Sequence, residues 1–138
     1  AVIMSDEQAI LDANQAFYTA FATRDMTMME QVWACDAPIC CIHPGWAPLL
    51  GRRAVIESWA AILSDPGALD IACGDAQVSQ HGQSAVVVCR EMLPQGQLLA
   101  SNLFVHENGA WRLVHHHAGP GPQLAAASAA PTDGGALH

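Results

Sequence analysis

The chain has 138 residues, 51% of them hydrophobic, with a formal net charge of -8 at pH 7. That length suits one domain around one core, and the apolar content lies well outside the disordered class. All five basic residues are arginine, so the chain lacks the basic footprint of a nucleic-acid binder and is repelled by an anionic membrane surface.

The opening Ala1-Val2-Ile3-Met4-Ser5 has neither the basic stretch nor the long apolar stretch of a secretory signal. No apolar run approaches the ~18–20 residues of a membrane span. A cytoplasmic protein is expected, with no nucleic-acid and no membrane partner. The five cysteines, Cys35, Cys40, Cys41, Cys73 and Cys89, are odd in number and fit no zinc spacing. They read as reduced thiols, mostly buried as small hydrophobes.

Ser5-Asp6-Glu7-Gln8 has the form of a capping box, so a helix is expected from Ser5 to about Thr23. Ile10, Ala13, Phe17, Ala20 and Phe21 recur at helical spacing along one face. Asp25 can cap a second helix, buried through Met29, Val32 and Trp33 and ending near Asp36-Ala37-Pro38. Residues 39–43 read as a short strand, Pro44-Gly45 as a turn, and Trp46 to Leu50 as an irregular apolar loop. A third helix is expected over 52–63, with Val55, Ile56, Trp59, Ile62 and Leu63 inward and Asp65-Pro66-Gly67 stopping it.

The remainder reads as β. A weak strand lies within 68–80 and a strong one over 85–93. Residues 98–106 and 111–118 form a hairpin around Asn108-Gly109, the dipeptide that best supplies two positive φ angles. Alternation puts Val86, Val88, Arg90 and Met92 on one face of the strong strand and Ala85, Val87, Cys89 and Glu91 on the other. Both faces are largely apolar and no helix is left to cover the second, so a homodimer through the outer sheet face is expected. Residues 120–138 are Gly-, Pro- and Ala-rich and read as a flexible tail behind a domain over 1–119.

This order of elements, with Phe17 to Asp25, Trp33-Ala34-Cys35-Asp36-Ala37, His43-Pro44-Gly45, Leu50 to Ile56 and Asn108 to His117, resembles the nuclear transport factor 2-like superfamily. That superfamily includes the SnoaL-like proteins, ketosteroid isomerase and the association domain of calmodulin-dependent kinase. The resemblance implies an α+β, cystatin-like fold: a cone-shaped curved antiparallel sheet wrapped around a long N-terminal helix, with two shorter helices and a pocket at the wide end.

Carried over by position, the isomerases' helix tyrosine falls at Phe17, with Tyr18 one residue off. Their catalytic aspartate falls at His43 and their protonated aspartate at Asn102. All three differ from the isomerase set, which argues against steroid isomerisation, since an oxyanion hole needs its donors in place. Arg90 matches one pocket arginine of the kinase association domains, while Asn102 and Ala118 replace two others. An arginine in an apolar pocket would favour an acidic ligand; the alternative for Arg90 is an internal salt bridge to Glu57 or Asp36.

His43, at the implied pocket rim, has the ordinary pKa of a general base. Trp46 and Trp59 are either core or ligand platform. If Ala118 faces the pocket as the resemblance implies, so does His116, with His115, His117, Trp111 and Leu113 outward; a β-bulge between Trp111 and His117 would reverse the assignment. His115 and His117 alone are too few for a metal site, so no metal and no cofactor is expected.

Two functional classes stay open. One is a cofactor-independent isomerase, cyclase or lyase acting on a small apolar or acidic molecule through His43, Asn102 and His116, with Phe17, Tyr18, Trp46, Trp59 and Arg90 as ligand contacts. The other is a non-catalytic dimeric ligand-binding or assembly module. Fold alone does not decide between them.

Overall fold

The computed structural model describes residues 5–67 and 70–122. The described residues form three helices, α1 (Ser5–Thr23), α2 (Met26–Val32) and α3 (Arg52–Ser64). Between α2 and α3 lie β1 (Cys40–Ile42) and β2 (Leu49–Leu50), and β3 (Ala72–His81), β4 (Ser84–Leu93), β5 (Gly96–Glu107) and β6 (Ala110–Pro120) follow α3. The strands form one sheet in the order β2-β1-β6-β5-β4-β3. The β3–β6 meander is antiparallel as expected, and β1 adds to β6 in parallel. The architecture is α+β, with α1 packed on the sheet's inner face.

Helix α1 starts where the capping pattern puts it, but the Gln8 side chain does not turn back; its Nε2 donates to Asp12 Oδ1 at 2.9 Å. Asp25 caps α2 as expected, its Oδ1 accepting from Met28 N at 3.0 Å. That helix ends four residues before Asp36, because Trp33 turns away to bridge Leu113 and Ala34 N donates to Leu113 O. Glu107, at the end of β5, then accepts from the backbone N–H groups of Cys35, Asp36 and Ala37. One carboxylate thus satisfies three donors that no helix or strand uses. The expected irregular loop over 46–50 is also corrected: Leu49 and Leu50 form β2, paired with Cys41 and Cys40.

The β5–β6 turn has Asn108 at φ 52° and Gly109 at φ 79°, the two positive angles that their dipeptide favours. Register shifts past this turn. Phe104 pairs with Leu113, but Leu103 pairs with His115, leaving Val114 as an extra residue. The bulge changes parity along β6, so Trp111, Leu113, His116 and Ala118 are all buried while His117 is exposed. The expected outward placement of Trp111 and Leu113 is therefore overturned, while His116 lies inward with Ala118 as expected.

A second irregularity lies in β3 between Gly74 and Gln77, where Asp75 takes φ 53°. Its carboxylate accepts from Arg90 Nε at 2.9 Å. Arg90 belongs to the outer face of β4, and its side chain is 38% exposed. Burial identifies Ala85, Val87, Cys89 and Glu91 as the inner face. Strand β6 runs through Pro120, the first residue of the expected 120–138 tail, and residues 123–138 of that tail lie outside the described residues.

Candidate functional site

Helix α1 brings Asn14 and Tyr18, one turn apart, onto the same inward stripe as Ile10 and Phe17. The side chains facing them from the sheet are Cys89 and Glu91 on β4, Asn102 on β5 and His116 on β6. Asn102 and His116 are cross-strand partners. These polar groups are all buried, so each needs a partner.

The hydrogen bonds fix the direction of the network. Asn102 Nδ2 donates to Asn14 Oδ1 at 2.9 Å and to Tyr18 Oη at 3.2 Å. Tyr18 donates its hydroxyl hydrogen to Glu91 Oε2 at 2.7 Å. With its amide nitrogen so engaged, Asn102 presents Oδ1 to His116 Nδ1 at 2.6 Å. An amide oxygen only accepts, so His116 Nδ1 carries the hydrogen, and in the neutral ring Nε2 keeps the lone pair. His116 Nε2 lies 3.6 Å from Glu91 Oε2, too long for a hydrogen bond.

Burial disfavours charge on both groups. It pushes the Glu91 carboxyl above its ordinary value, with the Tyr18 hydrogen bond pulling the other way. It pushes His116 down to about 3, helped by the neighbouring His43, His115 and His117. A carboxyl held toward its acid form therefore faces an imidazole held in its base form.

His43 follows β1 and is buried under α3. Ser58 Oγ donates to Val55 O at 2.7 Å. Having spent its one hydrogen, that hydroxyl accepts from His43 Nε2 at 2.9 Å. The neutral His43 ring then has its lone pair on Nδ1. Burial lowers its pKa to about 4.

Glu91, His116 and His43 meet at one cavity of about 320 Å³. Phe21, Trp59, Ile62, Ile71, Leu93 and Leu98 form its apolar wall, and Trp46 and Asp65 stand among its lining groups. The volume suits a small molecule, and an apolar wall with a few convergent polar groups is the usual form of such a site.

Of the residues singled out from the sequence, His43, Trp46, Trp59 and His116 line this cavity. Trp46 is 48% exposed and lies edge-on to His43, with ring centroids 4.7 Å apart. Phe17 sits behind the wall, 5.3 Å from the Trp59 ring and 4.9 Å from the His116 ring. Asn102 and Tyr18 lie behind His116 and Glu91 as their hydrogen-bond partners. Arg90 is not among the lining residues: it is on the opposite face and pairs with Asp75, not Glu57 or Asp36. Glu57 pairs with Arg53 and Asp36 takes Asn108 Nδ2.

Sequence reasoning missed Glu91, Asn14 and Ser58. Strand register exposes the first omission. Residues facing each other across an antiparallel pair share a face, and Asn102 faces Val87, which places Glu91, not Arg90, on Asn102's side.

Comparisons with known proteins agree on the fold. The family model of the SnoaL-like domain matches residues 10–120. A proposed dehydratase of the NTF2-like family from Streptomyces avermitilis is 30% identical, covering 86% of this chain and 97% of its own, with a TM-score of 0.79. A candidate calcium/calmodulin-dependent protein kinase type II association domain from Thiobacillus denitrificans is 32% identical, covering 80% and 93%, with a TM-score of 0.70. In Arabidopsis thaliana, F-box protein SKIP8 is 28% identical over 112 residues, which are 80% of this chain and 48% of that protein. The chain thus spans about half the length of that curated relative. With a family match over most of its length and this arrangement of helices and sheet, the chain belongs to the SnoaL-like domain family.

Proposed function

We propose that the cavity carries out cofactor-independent acid–base chemistry on a small, mainly apolar substrate, with proton removal and loss of water as the leading reaction. The observation that carries this reading is the proximity of Glu91 Oε2 to His116 Nε2, 3.6 Å apart on the wall of one cavity. General acid–base catalysis needs a donor and an acceptor within reach of adjacent substrate atoms. The resemblance to a proposed dehydratase at 30% identity supports the same class.

For a 3-hydroxy ketone the step balances without a co-reactant. His116 Nε2 takes the proton from the carbon between the carbonyl and the hydroxyl-bearing carbon. The electron pair forms the new double bond, the C–O bond breaks, and Glu91 gives its proton to the departing hydroxyl to release water. The proton gained by His116 passes to Glu91 and resets the pair. Asn102 fixes the tautomer in which Nε2 is the base, and Tyr18 orients the acid. His43 is a second base on the same wall. Arg90, on the other face, has no part.

The test is turnover of a panel of 3-hydroxy ketones, followed by the ultraviolet absorbance of the conjugated product. The reading expects wild-type turnover that falls by about 100-fold or more in Glu91→Gln and in His116→Gln, the usual scale of an acid–base group. Equal rates in wild type and Glu91→Gln would remove the carboxyl from the chemistry.

A second reading, a dimeric binding or assembly module, is favoured by a separate observation. The outer sheet face exposes Val88 (46%), Met92 (44%), Leu99 (37%) and Leu103 (36%), neighbours on β4 and β5. A second copy of the chain is the cover this reading assigns to that face, which supports a homodimer with or without catalysis. The association-domain relative, 32% identical, supports assembly.

A further inference from the structure

Charge around the cavity decides what kind of small molecule it takes. Its lining includes one carboxylate apart from the proton-donating Glu91, that of Asp65, and no arginine. The chain has no lysine at all. Each arginine is engaged elsewhere: Arg52 donates to the Trp33, Ala34 and Glu30 carbonyls, and Arg112 to the Gln31 carbonyl. Arg53 pairs with Glu57 and Arg90 with Asp75. Arg24 donates to Pro66 O at 3.5 Å, between the lining residues Asp65 and Gly67, but is not itself a lining residue.

An anionic ligand would therefore leave water for a cavity whose lining residues include no arginine or lysine, and that desolvation costs free energy. A cation meets the opposite situation. Asp65, at the end of α3, is held in place by Gly67 N donating to its Oδ1 at 2.9 Å. Trp46, Trp59 and Phe21 present aromatic rings to the same space, and ring faces attract ammonium groups. The two histidines, pushed toward their neutral forms by burial, add no competing positive charge.

We propose that the cavity selects a small protonated amine on an apolar or aromatic body, with the ammonium at Asp65 and the body against Trp46, Trp59 and Phe21. This replaces the acidic ligand expected from an inward Arg90. It rests on the reading of the cavity as a substrate site and names the substrate class: the amine stays near the entrance while the reacting end reaches Glu91 and His116.

The test is a calorimetric titration of the chain at pH 7 with three probes of one shape: 2-phenylethylammonium, 2-phenylethanol and phenylacetate. The amine binds at least about tenfold tighter than the carboxylate, with the alcohol between them, as expected where the exposed Asp65 carboxylate attracts one charge and repels the other. Asp65→Asn, which keeps the oxygen used by Gly67, weakens the amine about threefold to tenfold and leaves the alcohol unchanged. Phenylacetate binding as tightly as the amine, Asp65→Asn weakening alcohol and amine alike, or no binding of any probe would each overturn the proposal. The expected charge order without turnover of any hydroxy ketone defeats the acid–base reading alone, and turnover with an inverted charge order defeats this inference alone.

Discussion

At the scale of single residues, the site depends on Asn102. Its amide ties His116, Asn14 and Tyr18 together. Asn102→Leu leaves at least two of those buried groups without a partner and is expected to cost about 3 kcal/mol or more in urea unfolding. Asn102→Asp is expected to raise the His116 pKa from about 3, because a carboxylate at 2.6 Å from Nδ1 favours the imidazolium; an NMR titration of the ring reads this directly. The same residues set the acid side of the stability profile. The folded-state pKa values of His43 and His116, about 4 and about 3, lie below the ordinary 6.5. Between 6.5 and those values the unfolded chain binds more protons, so stability is complete above 6.5 and declines as pH falls. Each histidine contributes a slope of roughly 1.4 kcal/mol per pH unit while its unfolded form alone is charged. Glu91 has the opposite sign. Its raised folded pKa makes stability fall as pH rises above the ordinary 4.5, and Glu91→Gln removes that limb. Denaturation curves across pH for His116→Gln and Glu91→Gln separate the two contributions.

At the scale of elements, two loops are held by features that a sequence pattern shows only in part. Gly51, the N-cap of α3, takes φ 90° and ψ 153°, a region nearly closed to residues with a Cβ. Gly51→Ala is expected to cost about 1–3 kcal/mol although nothing crowds the added methyl, and urea unfolding checks it. Glu107 holds the loop after α2 by accepting three backbone hydrogen bonds, which also lower its pKa. The contribution is present above the ordinary carboxylate range and lost as pH falls through the lowered value. Glu107→Ala is expected to speed hydrogen exchange at the Cys35, Asp36 and Ala37 amides and to leave the β5–β6 turn unchanged. What was legible here follows from local rules. Helix periodicity gave α1 and α3, Asp25 gave the α2 cap, and Asn108-Gly109 gave the hairpin. What was not legible depends on pairs distant in the chain. The end of α2 is set by Leu113 and Glu107, and the inward side of β6 by an extra residue at Val114. The face of Arg90 was open to a purely sequence argument. The short turn at Pro94-Gln95 pairs Leu93 with Gly96, and counting back along both strands puts Glu91 beside Leu98 and on the same face as Asn102.

At the scale of the whole molecule, one face of the sheet wraps α1 while the other leaves Val88, Met92, Leu99 and Leu103 open. If a second copy covers that face, Leu103→Glu shifts the chain from dimer to monomer in sedimentation velocity and leaves ligand affinity unchanged, since Leu103 does not line the cavity. No helix among the described residues is long and apolar enough to cross a membrane. The fold brings Glu91 of β4 and His116 of β6 together on one largely apolar cavity wall, and the proposed acid–base chemistry rests on that pairing. That pairing is read most directly by NMR of the chain labelled with ¹⁵N-histidine and ¹³C-glutamate, titrated across pH. The account predicts that at pH 7 His116 is neutral with its hydrogen on Nδ1, and that the Glu91 carboxyl titrates above its ordinary 4.5. An imidazolium at His116 beside an ionised Glu91 at pH 7 would contradict it.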